Sequence, residues 1–236
     1  MSKLYEGDNP NIDKSKNYLV WSILLAIPVV LYLLGFMTHK VYFVGIGHFL
    51  PIVIFGIPSS IMFMKYRILQ TGLNGENDTA DILKALDENY NVFKNVHISV
   101  DGKEIEIDNI VVGKNGVFII EVKNHNGTIE GNGNEDIWIQ HKVGRKGGRY
   151  TKNIKNPIKQ VKYQTFILSK FLKSKNINAW IESAVYFSNK KVNSRIFDAE
   201  KVFFNSYDLL NYIEKYTPKK LLDEVEINNI ISNLKQ

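Results

Sequence analysis

The chain predicts an α/β fold, a mixed central sheet flanked by helices and preceded by a transmembrane helical hairpin. Three features carry that expectation. Two long apolar runs, 18–37 and 41–64, stand near the N-terminus. Short Val-, Ile- and Phe-rich segments then alternate apolar with polar residues from Tyr90 to Phe187. Capping signals and apolar residues at helical spacing fall between and after them.

The 236 residues leave room for one medium domain beyond the apolar runs. Without cysteine, disulfides, zinc-thiolate sites and cysteine nucleophiles are excluded. Thirty Lys and Arg against 24 Asp and Glu give a net charge of +6, which favours an anionic partner without naming it.

Residues 1–17 read as a loose polar tail. Tyr18–Met37 is then apolar over about 20 residues, enough at ~1.5 Å per residue to cross ~30 Å of hydrocarbon. Thr38, His39 and Lys40 interrupt it, and Val41–Met64 is a second uncharged run closed by Lys65 and Arg67. The first run is long and lacks a small-x-small cleavage site, which argues against a signal peptide. A buried helical hairpin in a soluble core is the other reading. Lys3, Lys14 and Lys16 precede the pair, Lys65 and Arg67 follow it, and Lys40 alone lies between. The positive-inside rule then puts both termini in the cytoplasm. Pro28, Pro51 and Pro58 are expected kink points, and His48 is an ionisable group within the runs, read as a packing residue.

Residues 68–74 read as a linker, and Gly75–Asn89 as a helix with Ile82, Leu83 and Leu86 inward and Glu76 in its first turn, where a carboxylate also suits the helix dipole. Tyr90–Ser99 is a strand. Asp101-Gly102 turns it into a hairpin of Glu104–Val112 and Val117–Lys123 around Gly113-Lys114-Asn115-Gly116. Pairing Val112 with Val117 sets Asp108 opposite Glu121 and Glu106 opposite Lys123 on one face, with Ile105, Ile107, Val111, Phe118, Ile120 and Val122 on the other. Two carboxylates facing each other across a hairpin repel unless a positive group lies between them. A hard divalent cation, Mg²⁺ or Mn²⁺, suits such a pair, with Lys123 beside it to orient water or stabilise negative charge. The plainer reading is a solvent-facing strand on which Lys123 pairs with Glu106.

Ile137–Ile139 suggests a further strand with Trp138 in the core. From Ile137 to Ile181 there is no Asp or Glu, while cations accumulate. Lys142, Arg145, Lys146, Arg149 and Lys152, among Gly144, Gly147 and Gly148, read as a mobile basic loop suited to a phosphate backbone, or to an anionic bilayer surface. Asn156 as N-cap and Pro157 at the first helical position open a helix with Ile158, Val161, Leu168 and Leu172 inward. Gln160, four residues after the cap, is by pattern an ordinary surface amide. Ala179–Phe187 and Lys201–Phe204 read as strands. Ser206 caps a helix to Tyr216, and Thr217-Pro218 opens a last one with Leu221, Leu222, Val225 and Ile230 inward.

Asp108 followed by Glu121-Val122-Lys123 on the next strand resembles the D…E-x-K signature of the PD-(D/E)XK nuclease superfamily, with Ile107 where that name puts proline. Within it the chain resembles the nuclease-related domain (NERD) family. The matching features are Gly75-Glu76, Glu106-Ile107-Asp108, Gly116-Val117-Phe118, Ile120–Asn124, Gly127, and Asn156-Pro157 followed by Gln160, over roughly Gly72–Phe187. Asn109 departs from the His that relatives commonly carry.

The resemblance implies a nuclease-like α/β core that hydrolyses phosphodiesters of DNA or RNA with Mg²⁺ or Mn²⁺. Asp108, Glu121 and the carbonyl of Val122 would hold the metal and Glu76 would complete the site. Lys123 would position water, Gln160 would assist, and the basic loop would grip nucleic acid. The expected order is tail 1–17, two spans 18–67, linker 68–74, nuclease-like domain 75–190 and a C-terminal strand with helices 191–236. The whole is a membrane-anchored, cytoplasm-facing protein. A membrane-tethered adaptor that holds nucleic acid without cutting it is the alternative.

Overall fold

The computed structural model describes residues 1–38, 40, 45–144 and 146–235. Two compact units emerge, Met1–Asp8 with Gly75–Gln236, and Asn9–Asn74.

The smaller unit is helical. Asn9 caps α1 (Pro10–Met37) by accepting from the Asn11 N–H at 2.9 Å, and Pro10 occupies the first turn, where its missing N–H costs nothing. A 3₁₀ turn (Gly45–Phe49) and a π turn (Ile52–Gly56) lead into α2 (Ile57–Leu83). Both segments are long and apolar enough to cross a membrane. Their large apolar side chains, Trp21, Leu31, Ile54 and Met64 among them, are exposed, so they do not form a buried core hairpin. The Tyr32 hydroxyl lies 2.7 Å from His48 Nδ1, which gives that histidine a packing and hydrogen-bonding role. The 68–74 stretch, expected as a linker, is instead part of α2. It contains no proline, and α2 runs on unbroken to Leu83, short of the Asn89 end expected.

The larger unit begins with a correction. The tail includes a strand, β1 (Lys3–Glu6), lying parallel on β2 (Asn91–Val100). Glu6 and Asn77 each accept from the buried Lys94 ammonium at 2.6 Å, and Tyr5 stacks on Phe93 at 4.8 Å. β2, β3 (Lys103–Gly113) and β4 (Gly116–Lys123) form the expected meander. Next come β5 (Gly127–Asn132), β6 (Ile137–Val143), β7 (Arg149–Lys155) and α3 (Pro157–Ser174). The chain ends with β8 (Ile181–Phe187), β9 (Val192–Phe197), β10 (Val202–Phe203), α4 (Ser206–Lys215) and α5 (Glu224–Leu234).

The central sheet runs β1-β2-β3-β4-β8-β10 and is mixed, as expected. A second sheet, β7-β6-β5-β9, was not foreseen. The segment read as a mobile basic loop is its β6–β7 hairpin, with Lys142 opposite Tyr150 and Val143 opposite Arg149. Trp138 is fully buried beside Gly131, where a Cβ would lie 2.2 Å from the indole.

Both faces of the central sheet are covered. Ile110, Val112, Val117 and Ile119 pack with Val161, Ile167 and Leu168 of α3; Val111, Phe118 and Ile120 pack with Leu83, Leu86, Leu209 and Ile213. Two C-terminal details differ from expectation. Asn205, not Ser206, caps α4, and residues 217–223 are not helical because Asp223 and Glu226 form a capping box that starts α5 later. Leu221 and Val225 are therefore exposed, while Leu222 and Ile230 are buried.

Helix α4 is tied to the sheet through Glu182 on β8. Trp180 Nε1 and the hydroxyls of Tyr212 and Tyr216 donate to it at 2.7, 2.9 and 2.7 Å, and the Lys201 ammonium donates as well. Burial opposes its ionisation, but these four donors outweigh burial and hold its pKa down at about 2. A depressed carboxylate stabilises the fold above its ordinary pKa, and that contribution is lost as pH falls through the folded value. Glu182→Gln should therefore lower the melting temperature at neutral pH, by about 2 kcal/mol of stability. Melting curves should show the deficit shrinking as pH falls from about 4.5 toward about 2.

Candidate active site

The β3–β4 hairpin has the register expected, Val112 opposite Val117 and Gly113 opposite Gly116, and its ladder runs back to Asn109 opposite Ile120. There it stops. On the other side of β3 the ladder with β2 skips Asn95 and Asp108, and Asn95 takes a left-handed φ of 54°. That irregularity flips the faces of both strands. Ile105 and Ile107 consequently pack with Ile110 and Val112 and not, as alternation predicted, with Val111 and Phe118.

Freed from regular pairing, the Asp108 carboxylate accepts the Val122 N–H at 2.7 Å. Glu121 is 1% exposed, on the sheet face that α3 covers. Its Oε1 accepts from Lys123 Nζ at 2.5 Å and its Oε2 from Gln164 Nε2 at 2.8 Å. Lys123 Nζ also reaches Gln160 Oε1 at 3.0 Å, and makes its ion pair with Glu121, not with Glu106. Hydrogen bonds thus link Glu121, Lys123 and Gln160, with Asp108 held on the intervening Val122, an arrangement that for Gln160 only the family resemblance implied.

Gln164 belongs with them and was missed. One helical turn beyond Gln160, it bridges Glu121 and the Glu106 carbonyl, the latter at 3.1 Å. The four-residue spacing Asn156, Gln160, Gln164 was the available signal. Asn156 fixes the start of that face: its amide donates to the carbonyls of Gly133 and Glu135 at 3.1 and 2.7 Å, while its oxygen caps Ile158 N at 2.9 Å.

Glu76 enters from α2. A Cβ on Gly75 would lie 2.7 Å from both Asn124 Cβ and Ser188 Oγ, so glycine is what lets the helix approach the end of β4. The charge of Glu76 is felt at Asp108. Burial chiefly, then the charge of Glu121, push the Asp108 pKa well above the ordinary carboxylate value; the Val122 N–H works against this, Glu76 adds to it and Lys123 offsets it. Asn109 points to the opposite face, fully buried, with neither amide atom hydrogen-bonded.

On the far side of Lys123 lies His125. Burial and the charges of Lys123, Lys142 and Lys152 push its pKa down to about 4, so it is neutral at pH 7. Lys142, Arg149 and Lys152 are held on the β6–β7 hairpin and Lys146 in its turn, while Arg145 lies outside the described residues.

Among the described residues no three His, Asp or Glu side chains gather closely enough to hold a metal ion unaided. Asp108 and Glu121, in mutual repulsion and with Glu76 within electrostatic reach, are hard oxygen donors of the type that suits Mg²⁺ or Mn²⁺, and would need water or a substrate oxygen to complete a shell. Asp108→Asn removes one charge and keeps an oxygen for the Val122 N–H. A raised carboxylate pKa withdraws stability as pH rises through it. The variant should therefore match or exceed the parent's metal-free melting temperature at neutral pH, and thermal shifts on adding Mg²⁺ should be smaller than the parent's. An equal shift would place the metal elsewhere.

An uncharacterized protein of Bacillus anthracis is 29% identical over 173 residues, covering 72% of this chain and 79% of its own length. No solved structure is significantly similar. The nuclease-related domain (NERD) matches residues 71–188, half of the chain and all of the residues that converge around Lys123. The chain belongs to the nuclease-related domain family.

Proposed function

We propose that the protein is a membrane-anchored phosphodiesterase acting on DNA or RNA at the cytoplasmic face. The observation that carries this reading is the convergence of Asp108, Glu121, Lys123 and Gln160 at the edge of a basic hairpin. Asp108 and Glu121 would hold Mg²⁺ or Mn²⁺, with the Val122 carbonyl and Glu76 as further oxygens. The bound ion would supply Lewis-acid charge at the scissile phosphate.

The chain's own groups do the rest. Glu121 and Gln160 hold the Lys123 ammonium by two hydrogen bonds, so its charge is already oriented where negative charge develops on phosphorus oxygens. Gln164 fixes the other oxygen of Glu121, which keeps that carboxylate from following the lysine. Water adds to phosphorus, the ester bond breaks, and the departing oxygen takes a proton.

The N-terminal strand supports the topology. Because Lys3–Glu6 pairs with β2, both ends of the 9–74 segment return to one folded unit, and an even number of crossings satisfies that. The cations flanking the apolar runs favour the cytoplasmic side. A reporter fused at the C-terminus should read as cytoplasmic and one inserted at Thr38 as external; protection of both from external protease would remove the two-span reading.

The enzymatic reading is tested with the full chain in detergent micelles. Lys123→Ala should lower Mg²⁺- or Mn²⁺-dependent cleavage by about 10²–10³-fold and leave nucleic-acid affinity nearly unchanged. Nucleic-acid binding without any cleavage that this substitution abolishes would leave the adaptor reading in place.

A further inference from the structure

The second sheet carries a groove that the catalytic residues do not use. It has a volume of about 740 Å³, and its walls include Lys142, Arg149, Lys191 and Arg195, with Tyr150 and Asn193 between them. Neither Lys191 nor Arg195 belongs to the acid-free run of the sequence; both come from the β9 region. Register brings them together. β5 pairs with β9 so that Thr128 is beside Asn193 and Glu130 beside Arg195, and with β6 so that Thr128 is opposite His141. β6 in turn sets His141 opposite Thr151 and Val143 opposite Arg149. Arg195 and Arg149 therefore lie on one face, on the two outermost strands, while Lys142 and Tyr150, paired with each other, alternate to the other face and meet the groove only at its rim. Three strand spacings of ~4.8 Å separate those strands, about 14 Å, which is more than one phosphate can bridge.

Charge balance makes the face an anion site. No carboxylate is among the described residues lining the groove, and the neighbouring Glu130 is engaged by His141 at 2.8 Å. Position then says which anion. Lys123 is followed within four residues by β5, and its carbonyl accepts the Ser188 N–H at 3.1 Å just before the chain enters β9. Strand β5 thus follows directly from β4, and β9 follows from β8, the parallel neighbour of β4, at the same end. A concave basic groove suits a flexible chain of phosphates better than a planar bilayer.

We propose that this groove is a backbone track for a single-stranded polynucleotide, in which Lys191, Arg195 and Arg149 bind phosphates beyond the scissile one. The proposal rests on the phosphodiesterase reading for its substrate class. Binding without metal tests it separately from the chemistry.

The experiment compares the full chain in micelles with Lys191→Gln/Arg195→Gln, and with a charge-matched control, Lys173→Gln/Lys219→Gln, on exposed positions elsewhere. Anisotropy of a labelled 20-nucleotide DNA or RNA strand is measured in EDTA over a salt series, and hydrolysis of a small aryl phosphodiester is measured with Mg²⁺ or Mn²⁺. The groove variant should weaken strand binding at least tenfold and flatten its salt dependence by about 1.4, at ~0.7 for each phosphate of a single strand that is no longer neutralised. The control should not, and small-diester hydrolysis should be the same in all three proteins. An unchanged salt slope in the groove variant, or an equal loss in the control, overturns the track. Binding of phosphatidylserine vesicles in place of the strand also overturns it, and assigns the face to the membrane. Strand binding with the expected loss supports the track even if no protein hydrolyses the small diester, in which case only the phosphodiesterase reading falls.

Discussion

Glu121 places a carboxylate on the central strand at a position 1% exposed, between two hydrophobic faces that are otherwise closed. An unpaired charge there would cost several kcal/mol, so its surroundings are constrained to supply donors. Lys123, two residues along the same strand, reaches the same face, and α3 must deliver an amide from above. These demands fix much else. α3 has to start at Asn156, because that is where the cap, the wiring to the β5–β6 turn and the spacing to Gln160 and Gln164 coincide. α2 has to pass the end of β4 without a Cβ at Gly75.

The meander and its register were legible because they depend on local information: a turn rich in glycine, strands with period-two alternation, and one pairing that fixes the rest. That register puts Glu121 and Lys123 on one face, but Asp108 joins them through the break in pairing at Asn95 and Asp108, which alternation did not report. Gln164 was legible only in part: its four-residue spacing puts it on the helix face of Gln160, but how far α3 rotates over the sheet, and so whether that face meets Glu121, is reported by no single-sequence period. The N-terminal strand was hidden for a related reason. Four residues carry little pattern, and their partner β2 begins some ninety positions later in the chain.

The second sheet shows a different limit. The β6–β7 segment has strand-forming residues, Tyr150, Thr151 and Ile154, but its glycines and lysines gave the composition of a loop. What makes it a sheet is pairing: β5 is sandwiched between β6 and β9, and Trp138 closes over Gly131. A large buried indole held by its Nε1 to the Asn132 carbonyl at 2.8 Å anchors the hairpin regardless of the charge at its tip. Tertiary packing overrides composition here, and a basic surface that looked free to move is given fixed spacing.

Asn95 shows how the sheet and the chemistry are joined. An uninterrupted alternation would keep Asp108 paired across the hairpin, and Ile105 and Ile107 on the same face as Val111. The left-handed turn at Asn95 breaks both ladders at one point, so the isoleucines still reach a core while Asp108 turns to the Val122 N–H, next to Glu121. Asparagine tolerates that backbone conformation better than most residues, and Asn95 is itself buried, so the distortion lies inside the sheet rather than at a frayed edge. The sheet gives up one pair of ladder positions and thereby brings two acids together against their repulsion, which a proton on Asp108, the Lys123 ammonium or a cation at the same place relieves.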